Sequence, residues 1–377
     1  MTHDLVLTGG HVLDPASGLD RKTDVAFHQG RLAEIGDGLS GREVQDVSGA
    51  LVMPGLIDLH THVYWGGTSL SVAPEPYARR SAITTLVDTG SAGPGNFAGF
   101  KAHVVDRSQT RILVYLHISF AGIFAFSPTI MVGESQDLRL MAAREAVAVA
   151  REHPEDIIGI KVRVGKHTSG QNGIAPLELA LEAADQCGLP VMAHIDEPSP
   201  TYEDVVNMLR PGDILTHCFR PFPNAPVHAD GSVKEALLRG RERGVLFDIG
   251  HGMGAFSWDS ARAMMAAGFP PDSISSDVHT LCIDGPAYDL VRTMNKLLAL
   301  DMPLADVVSA VTSAPARALR RPDLGRLVLG GVGDASVIAL TDEPIVLEDV
   351  RGETLTCPQR LTARGMVSGG QWVDAAA

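Results

Sequence analysis

From Pro54 onward the chain repeats one unit: a short apolar, β-branched run, a turn, and then an amphipathic helical stretch. Eight such runs cover residues 55–64, 83–90, 111–120, 157–165, 190–195, 213–219, 245–252 and 272–279. The stretches 138–152, 176–186, 202–209, 232–243 and 258–267 between them have helical spacing, and 290–300 and 304–319 follow as closing helices. Strands that are apolar on both faces and separated by helices belong to parallel sheets covered by those helices. Eight of them in about 225 residues is the count of a (β/α)8 TIM barrel. A doubly wound open sheet shares the texture, but it gathers its chemistry at one crevice rather than on most strand ends.

The two ends of the chain read differently. Residues 4–53 and 326–374 are short strand-like runs punctuated by Gly and Pro, the pattern of a small β-sheet unit. Neither end holds enough apolar material for its own core. We therefore expect 1–53 plus 326–377 to form one small β-sandwich domain beside a barrel domain over 54–325.

The formal net charge of −14 argues against nucleic acid and anionic membrane as partners, because both require basic surface. Cys187, Cys218, Cys282 and Cys357 are scattered and form no Cys-x-x-Cys pair, which fits reduced thiols and a cytoplasmic protein. No basic, apolar leader opens the chain, and no apolar run is long enough to span a bilayer.

Barrels of this kind carry their chemistry at the C-terminal ends of the strands. Seven of the 14 histidines fall there: His60 and His62 on the first run, then His117, His194, His217, His251 and His279. Residues i and i+2 of a strand share a face, so His60 and His62 present two imidazoles side by side, with Asp58 one step behind. Paired imidazoles suit a zinc-like ion, and a carboxylate behind them could hold a tautomer. On the fourth run Ile158, Ile160, Val162 and Val164 share the face that helices cover, so Lys161 and Arg163 point inward. Two inward cations require ion-pair partners or a chemical change. A neutral lysine amine can take up carbon dioxide to form a carbamate, an anionic oxygen ligand. Asp277 and His279 share a face of the last run, where a carboxylate can ligate a metal and accept a proton from water.

The approach Asp46–His62, with Pro54-Gly55-Leu56-Ile57-Asp58-Leu59-His60-Thr61-His62 at its end, resembles the entry of the amidohydrolase superfamily of metal-dependent hydrolases. The exit, Gly325-Arg326-Leu327 through Gly333-Asp334-Ala335, is similar as well, and the ordered set His-x-His, Lys, His, His, Asp spans nearly the whole chain. Within the superfamily the chain is most similar to a dihydroorotase-like branch that includes deacetylases of acylated hydroxy or amino acids. The resemblance implies two divalent metal ions, of zinc type. His60, His62 and Asp277 would hold one and His194 and His217 the other, with a Lys161 carbamate and a hydroxide bridging them. Asp277 would act as general base and pass the proton to the leaving group. A homo-oligomer is the habit of the family.

Dihydroorotases of this superfamily carry an arginine two residues after His-x-His, and Tyr64 stands at that position here. Arg163 is the replacement candidate for gripping a substrate carboxylate, or else it pairs with an acid near the metals. His251 is expected to contact substrate. His279 either contacts substrate or orients Asp277, and His117 reads as a core residue. Arg220, Tyr64 and the glycine-rich loop 250–254 are expected to shape the pocket mouth.

These residues lead to a metal-dependent hydrolase that cleaves a small acylated, carboxylate-bearing molecule, such as an acetylated hydroxy acid or N-acetyl amino acid. The alternative within enzymes is a cyclic-amide hydrolase acting on a dihydroorotate- or hydantoin-like ring. A third reading, a non-catalytic module on the same fold, conflicts with six filled ligand positions.

Overall fold

The computed structural model describes residues 2–376. Its centre is a seven-stranded sheet in which every neighbouring pair is parallel and sequence order is spatial order. The strands are Leu56–Thr61, Ile83–Thr89, Arg111–His117, Ile157–Val164, Val191–Ile195, Ile214–Leu215 and Leu246–Phe247. Most residues in them are apolar and most are buried, as a sheet covered on both faces requires. Helices Ala143–Glu152, Ala175–Cys187, Tyr202–Met208 and Glu235–Glu242 lie between the later strands, and Trp258–Ala266 follows the last. Two further helices, Pro74–Ser81 and Phe97–His103, fill intervals that carried no helical expectation.

The last expected strand does not form a regular element. Residues 273–279 nevertheless bond to both edges of the sheet. The N–H groups of Ile249, His251 and Gly252 donate to the carbonyls of Ser273, Ser275 and Ser276 at 3.1, 3.2 and 2.9 Å. On the other side Asp277 N–H donates to the His60 carbonyl at 2.7 Å, and His62 N–H donates to the Val278 carbonyl at 3.1 Å. The sixth and seventh strands are also shorter than expected. The cause is backbone conformation: His217 (φ 69°), Gly250 (φ 47°), Gly252 (φ 50°) and Asp277 (φ 49°) all lie in the left-handed region, which no strand accommodates.

Register sets the inner wall. Lys161 pairs with His117 on one side, and Arg163 pairs with His194 on the other. Ile160, Val162 and Val164 alternate to the opposite face and are fully buried, each side chain worth about 1.5–3 kcal/mol of apolar burial.

The two ends of the chain meet in a six-stranded sheet. Ala50–Pro54, which leads into the first strand of the central sheet, pairs antiparallel with Ala335–Thr341 and parallel with His11–Asp14. A four-stranded sheet of His3–Thr8, Asp24–His28, Arg31–Gly36 and Gly41–Asp46 faces it. Leu5, Leu7, Val25 and Phe27 of the one and Val12, Val52, Val337 and Val367 of the other form a single buried apolar cluster. Among the described residues no helix is long and apolar enough to cross a membrane.

Candidate active site

A cavity of about 210 Å³ opens at the C-terminal ends of the strands and is lined by His60, His62, Lys161, His194, His217 and Asp277. The strand-end residues that the sequence singles out as ligands are thus brought together. Asp277 Oδ1 lies 3.2 Å from Nε2 of His60 and 3.2 Å from Nε2 of His62. Neighbouring ligands on a tetrahedral zinc ion with 2.0–2.1 Å bonds are separated by about 3.3 Å. The two edges from Asp277 therefore match those of a tetrahedral metal site, and the ligand atoms of His60, His62 and Asp277 all lie within 4.8 Å of one another.

The hydrogen bonds behind these rings decide which nitrogens are free. The Thr216 hydroxyl donates to Asp248 Oδ2 at 2.8 Å, so toward His60 Nδ1, also at 2.8 Å, it acts as acceptor. His60 therefore carries its proton on Nδ1 and turns a lone pair at Nε2 into the cavity. Asp248 is steadied by Ser273 and Ser275 hydroxyls at 2.6 and 2.8 Å, and burial raises its carboxyl to about 6. His62 Nδ1 lies 3.0 Å from the Ser91 hydroxyl. His217 donates from Nδ1 to the Gly250 carbonyl at 2.6 Å, which leaves Nε2 as a lone pair 2.6 Å from His194 Nδ1. His194 Nε2 is buried without a partner.

Burial, reinforced by the Lys161 charge and by neighbouring imidazoles, holds His60 well below the usual imidazole range. His194 and His217 are likewise far below it, burial again being the main cause, and His62 falls to about 3. The rings are therefore neutral donors. Burial also pushes Lys161 down to about 7 against the opposing pull of Asp277, and its Nζ sits 3.3 Å from His60 Nε2. Asp277 rises to about 6, again through burial.

Glycine builds the wall behind these groups. A Cβ at Gly252 would stand 2.2 Å from Asp277 Oδ2, and one at Gly250 would stand 2.9 Å from His217 Nδ1. The glycines of this loop admit backbone against the site's own side chains, and left-handed φ at His217 and Asp277 is strain at the residues that carry the chemistry.

Three expectations are corrected. Asp58 touches no imidazole ring; its carboxylate accepts from Tyr77 and Ser276 hydroxyls at 2.7 and 2.6 Å and so ties the first strand to residues 273–279. The tautomer-holding role that the sequence offered to Asp58 falls to Thr216 and Asp248 for His60. His251 does not reach the cavity: it is buried, stacked on Phe256 at 4.9 Å, and its Nε2 is capped by Lys296 Nζ at 2.6 Å. Tyr64 also turns away, because the strand ends at Thr61 and alternation does not extend to it; its ring packs 4.6 Å from Phe100. Arg220 lines the cavity, as expected of a residue that shapes the pocket, and is buried there.

Arg163 and His279 line the cavity. Arg163 lies over the Phe126 ring at 5.5 Å, with Nε 3.6 Å from Glu134 Oε1. His279 packs edge-on to Phe126 at 5.2 Å and accepts the Leu281 N–H at Nδ1, so its proton is on Nε2. His117 accepts from Ser119 N–H at Nδ1 and donates from Nε2 to Glu134 at 3.1 Å. Phe126, Met131, Leu70 and Met253 add apolar wall. Glu134, Thr216, Asp248 and Phe126 went unnoticed in the sequence. Thr216 was hidden because strict alternation places it opposite His217, and only the left-handed turn at His217 puts both beside His60.

Residues 51–239 match the model of the amidohydrolase family. A deacetylase of Agrobacterium fabrum is 35% identical over 349 residues, which cover 92% of this chain and 85% of that protein. A solved dihydroorotase superposes with a TM-score of 0.91 at 33% identity, covering 99% of each chain. A solved adenine deaminase superposes with a TM-score of 0.91 at 27% identity, covering 99% of this chain and 100% of that one. The chain belongs to the amidohydrolase family. It is a hydrolase of that superfamily, most of whose members depend on metal.

Proposed function

We propose that the protein is a binuclear metal-dependent deacylase that removes a small acyl group, such as acetyl, from a carboxylate-bearing hydroxy acid or amino acid. The observation that carries this reading is one cavity with two kinds of wall: neutral imidazoles, a lysine amine and Asp277 at its base, and the guanidiniums of Arg163 and Arg220 beside apolar Leu70, Phe126 and Met131. The deacetylase name of the Agrobacterium relative supports it. We read the seven strands and residues 273–279 as a closed (β/α)8 barrel, and the paired terminal sheets as its β-sandwich companion.

His60, His62 and Asp277 would hold one ion, and His194, His217 and Lys161 a second. Bound zinc-type ions would supply Lewis acidity toward the acyl carbonyl and lower the pKa of the attacking water. Lys161, neutral above about pH 7, can attack carbon dioxide with its nitrogen lone pair. An N–C bond forms, one N–H proton leaves to solvent, and a carbamate oxygen becomes available as a ligand. Asp277, at about 6, is matched to accept a proton from water near neutrality and return it to the leaving oxygen or nitrogen. Thr216 and Asp248 hold the His60 ring still during this exchange. His279, with Nε2–H available, can donate to a substrate oxygen.

The experiment is a substrate panel on the zinc-loaded protein: O-acetyl α-hydroxy acids and N-acetyl amino acids of both hands against dihydroorotate and hydantoins. Turnover of the acylated acids is expected. Turnover of the rings alone would replace this reading by the cyclic-amide one.

A further inference from the structure

Two guanidiniums line the cavity, and their surroundings differ. Arg163 has a counter-charge. Glu134 is fully enclosed, yet the Arg163 charge and the His117 hydrogen bond outweigh the opposing effect of burial and hold its carboxyl at about 2. Arg163 is thus neutralised from within the protein.

Arg220 is not. It is 8% exposed, and the only hydrogen bond of its side chain among the described residues runs from Nη1 to the Ile195 carbonyl. Its Nε is buried without a hydrogen-bond partner, as is Nε of Arg163; the difference is charge, because among the described residues no carboxylate stands within ion-pair distance of Arg220, whereas Glu134 stands beside Arg163. The nearby acid, Asp196, spends its oxygens on His167 N–H, Thr168 N–H and the Thr168 hydroxyl at 3.1, 3.1 and 2.8 Å. Buried charges in proteins are normally paired, because desolvating one without a partner is costly. A guanidinium left in this state in a cavity wall is built to be completed by an anion from the cavity, and its planar fork matches a carboxylate.

Its position is set by the backbone beside the two histidines that would hold the second metal. Arg220 N–H donates to the His217 carbonyl at 3.2 Å, Ser260 Oγ donates to the Arg220 carbonyl at 2.8 Å, and Ile195 directly follows His194.

We propose that Arg220 is the residue that binds the substrate's carboxylate and sets the enzyme's preference for acids over neutral acyl compounds. Arg163, neutralised by Glu134, shapes the wall instead. The inference rests on the deacylase reading above and names the residue that decides its substrate class.

The test uses the zinc-loaded enzyme with an O-acetyl α-hydroxy acid and its primary amide. Arg220→Met is expected to reduce kcat/KM for the acid ~100-fold more than for the amide, mostly through KM, as expected when a buried charge partner is removed. Arg220→Lys should restore part of the preference, and Arg163→Met should leave the acid-to-amide ratio within a few-fold of wild type. Equal losses on both substrates in Arg220→Met, or collapse of the ratio in Arg163→Met instead, would overturn the assignment. Metal content and melting temperature of each variant separate a binding loss from misfolding, and Arg220→Gln substitutes if the methionine variant does not fold. If wild type turns over no acylated acid, the deacylase reading fails by itself. Calorimetry with 2-hydroxypropanoate and its amide then judges Arg220 separately. Selective binding of the acid that is lost in Arg220→Met supports the assignment, and identical binding in both proteins refutes it.

Discussion

Removing one hydroxyl, at Thr216, tests whether the free Nε2 of His60 is arranged by the residues behind the ring. The hydroxyl spans His60 Nδ1 and Asp248 Oδ2 with two 2.8 Å hydrogen bonds, and all three residues are fully buried or nearly so. Thr216→Val keeps the shape and removes both bonds. His60 Nδ1–H is then left without its acceptor, with Asp248 Oδ2 3.8 Å away, and Asp248 keeps only the two serine donors. A buried polar group deprived of its partner costs about 1–3 kcal/mol, so the metal-free protein should lose about 2–4 kcal/mol once partial relaxation of Asp248 onto the serines is allowed. Loss of a hydrogen-bond partner behind a ligating imidazole weakens metal binding about 10–100-fold. Urea unfolding of chelator-treated protein reads the first effect, and zinc titration against a competing chelator reads the second. Thr216→Ser retains the hydroxyl and should stay near wild type in both. A valine variant matching wild type in stability and zinc affinity would refute the tautomer argument.

Three further outcomes follow from the geometry. Gly252→Ala places a Cβ 2.2 Å from Asp277 Oδ2 at a φ of 50°; it should reduce kcat at least ten-fold by displacing the carboxylate, and unchanged kcat would show that the loop yields. Lys161→Ala should abolish activity, with partial rescue by short carboxylic acids that would stand in for the proposed carbamate; an active variant that still binds two metals per chain would remove Lys161 from the site. His279 is held at about 4 by burial, below its unfolded value of about 6.5. Between those values the unfolded chain binds the extra proton, so stability falls as pH drops, by about 1.4 kcal/mol per pH unit, and levels off below pH 4. Metal-free His279→Asn should therefore show an acid slope shallower than wild type by that amount, and identical slopes would contradict a buried neutral ring.

The sequence alone determined the alternation of parallel strands and helices, because apolar β-branched runs buried on both faces have one periodicity and need covering helices. It also determined which residues gather at the strand ends, because strand parity alone places His60 with His62 and Lys161 with Arg163. Parity holds only while the backbone is extended. At His217, Gly250, Gly252 and Asp277 the chain enters left-handed conformations, so the neighbours of those residues could not be read from spacing. Tertiary structure decided that Thr216 and Asp248, not Asp58, orient His60, and that His251 answers to Lys296 rather than to substrate. It also decided which arginine has an acid beside it. Glu134 lies in a connecting segment far from Arg163 in sequence, and charge neutralisation depends on distance through space, which a linear order of residues does not record.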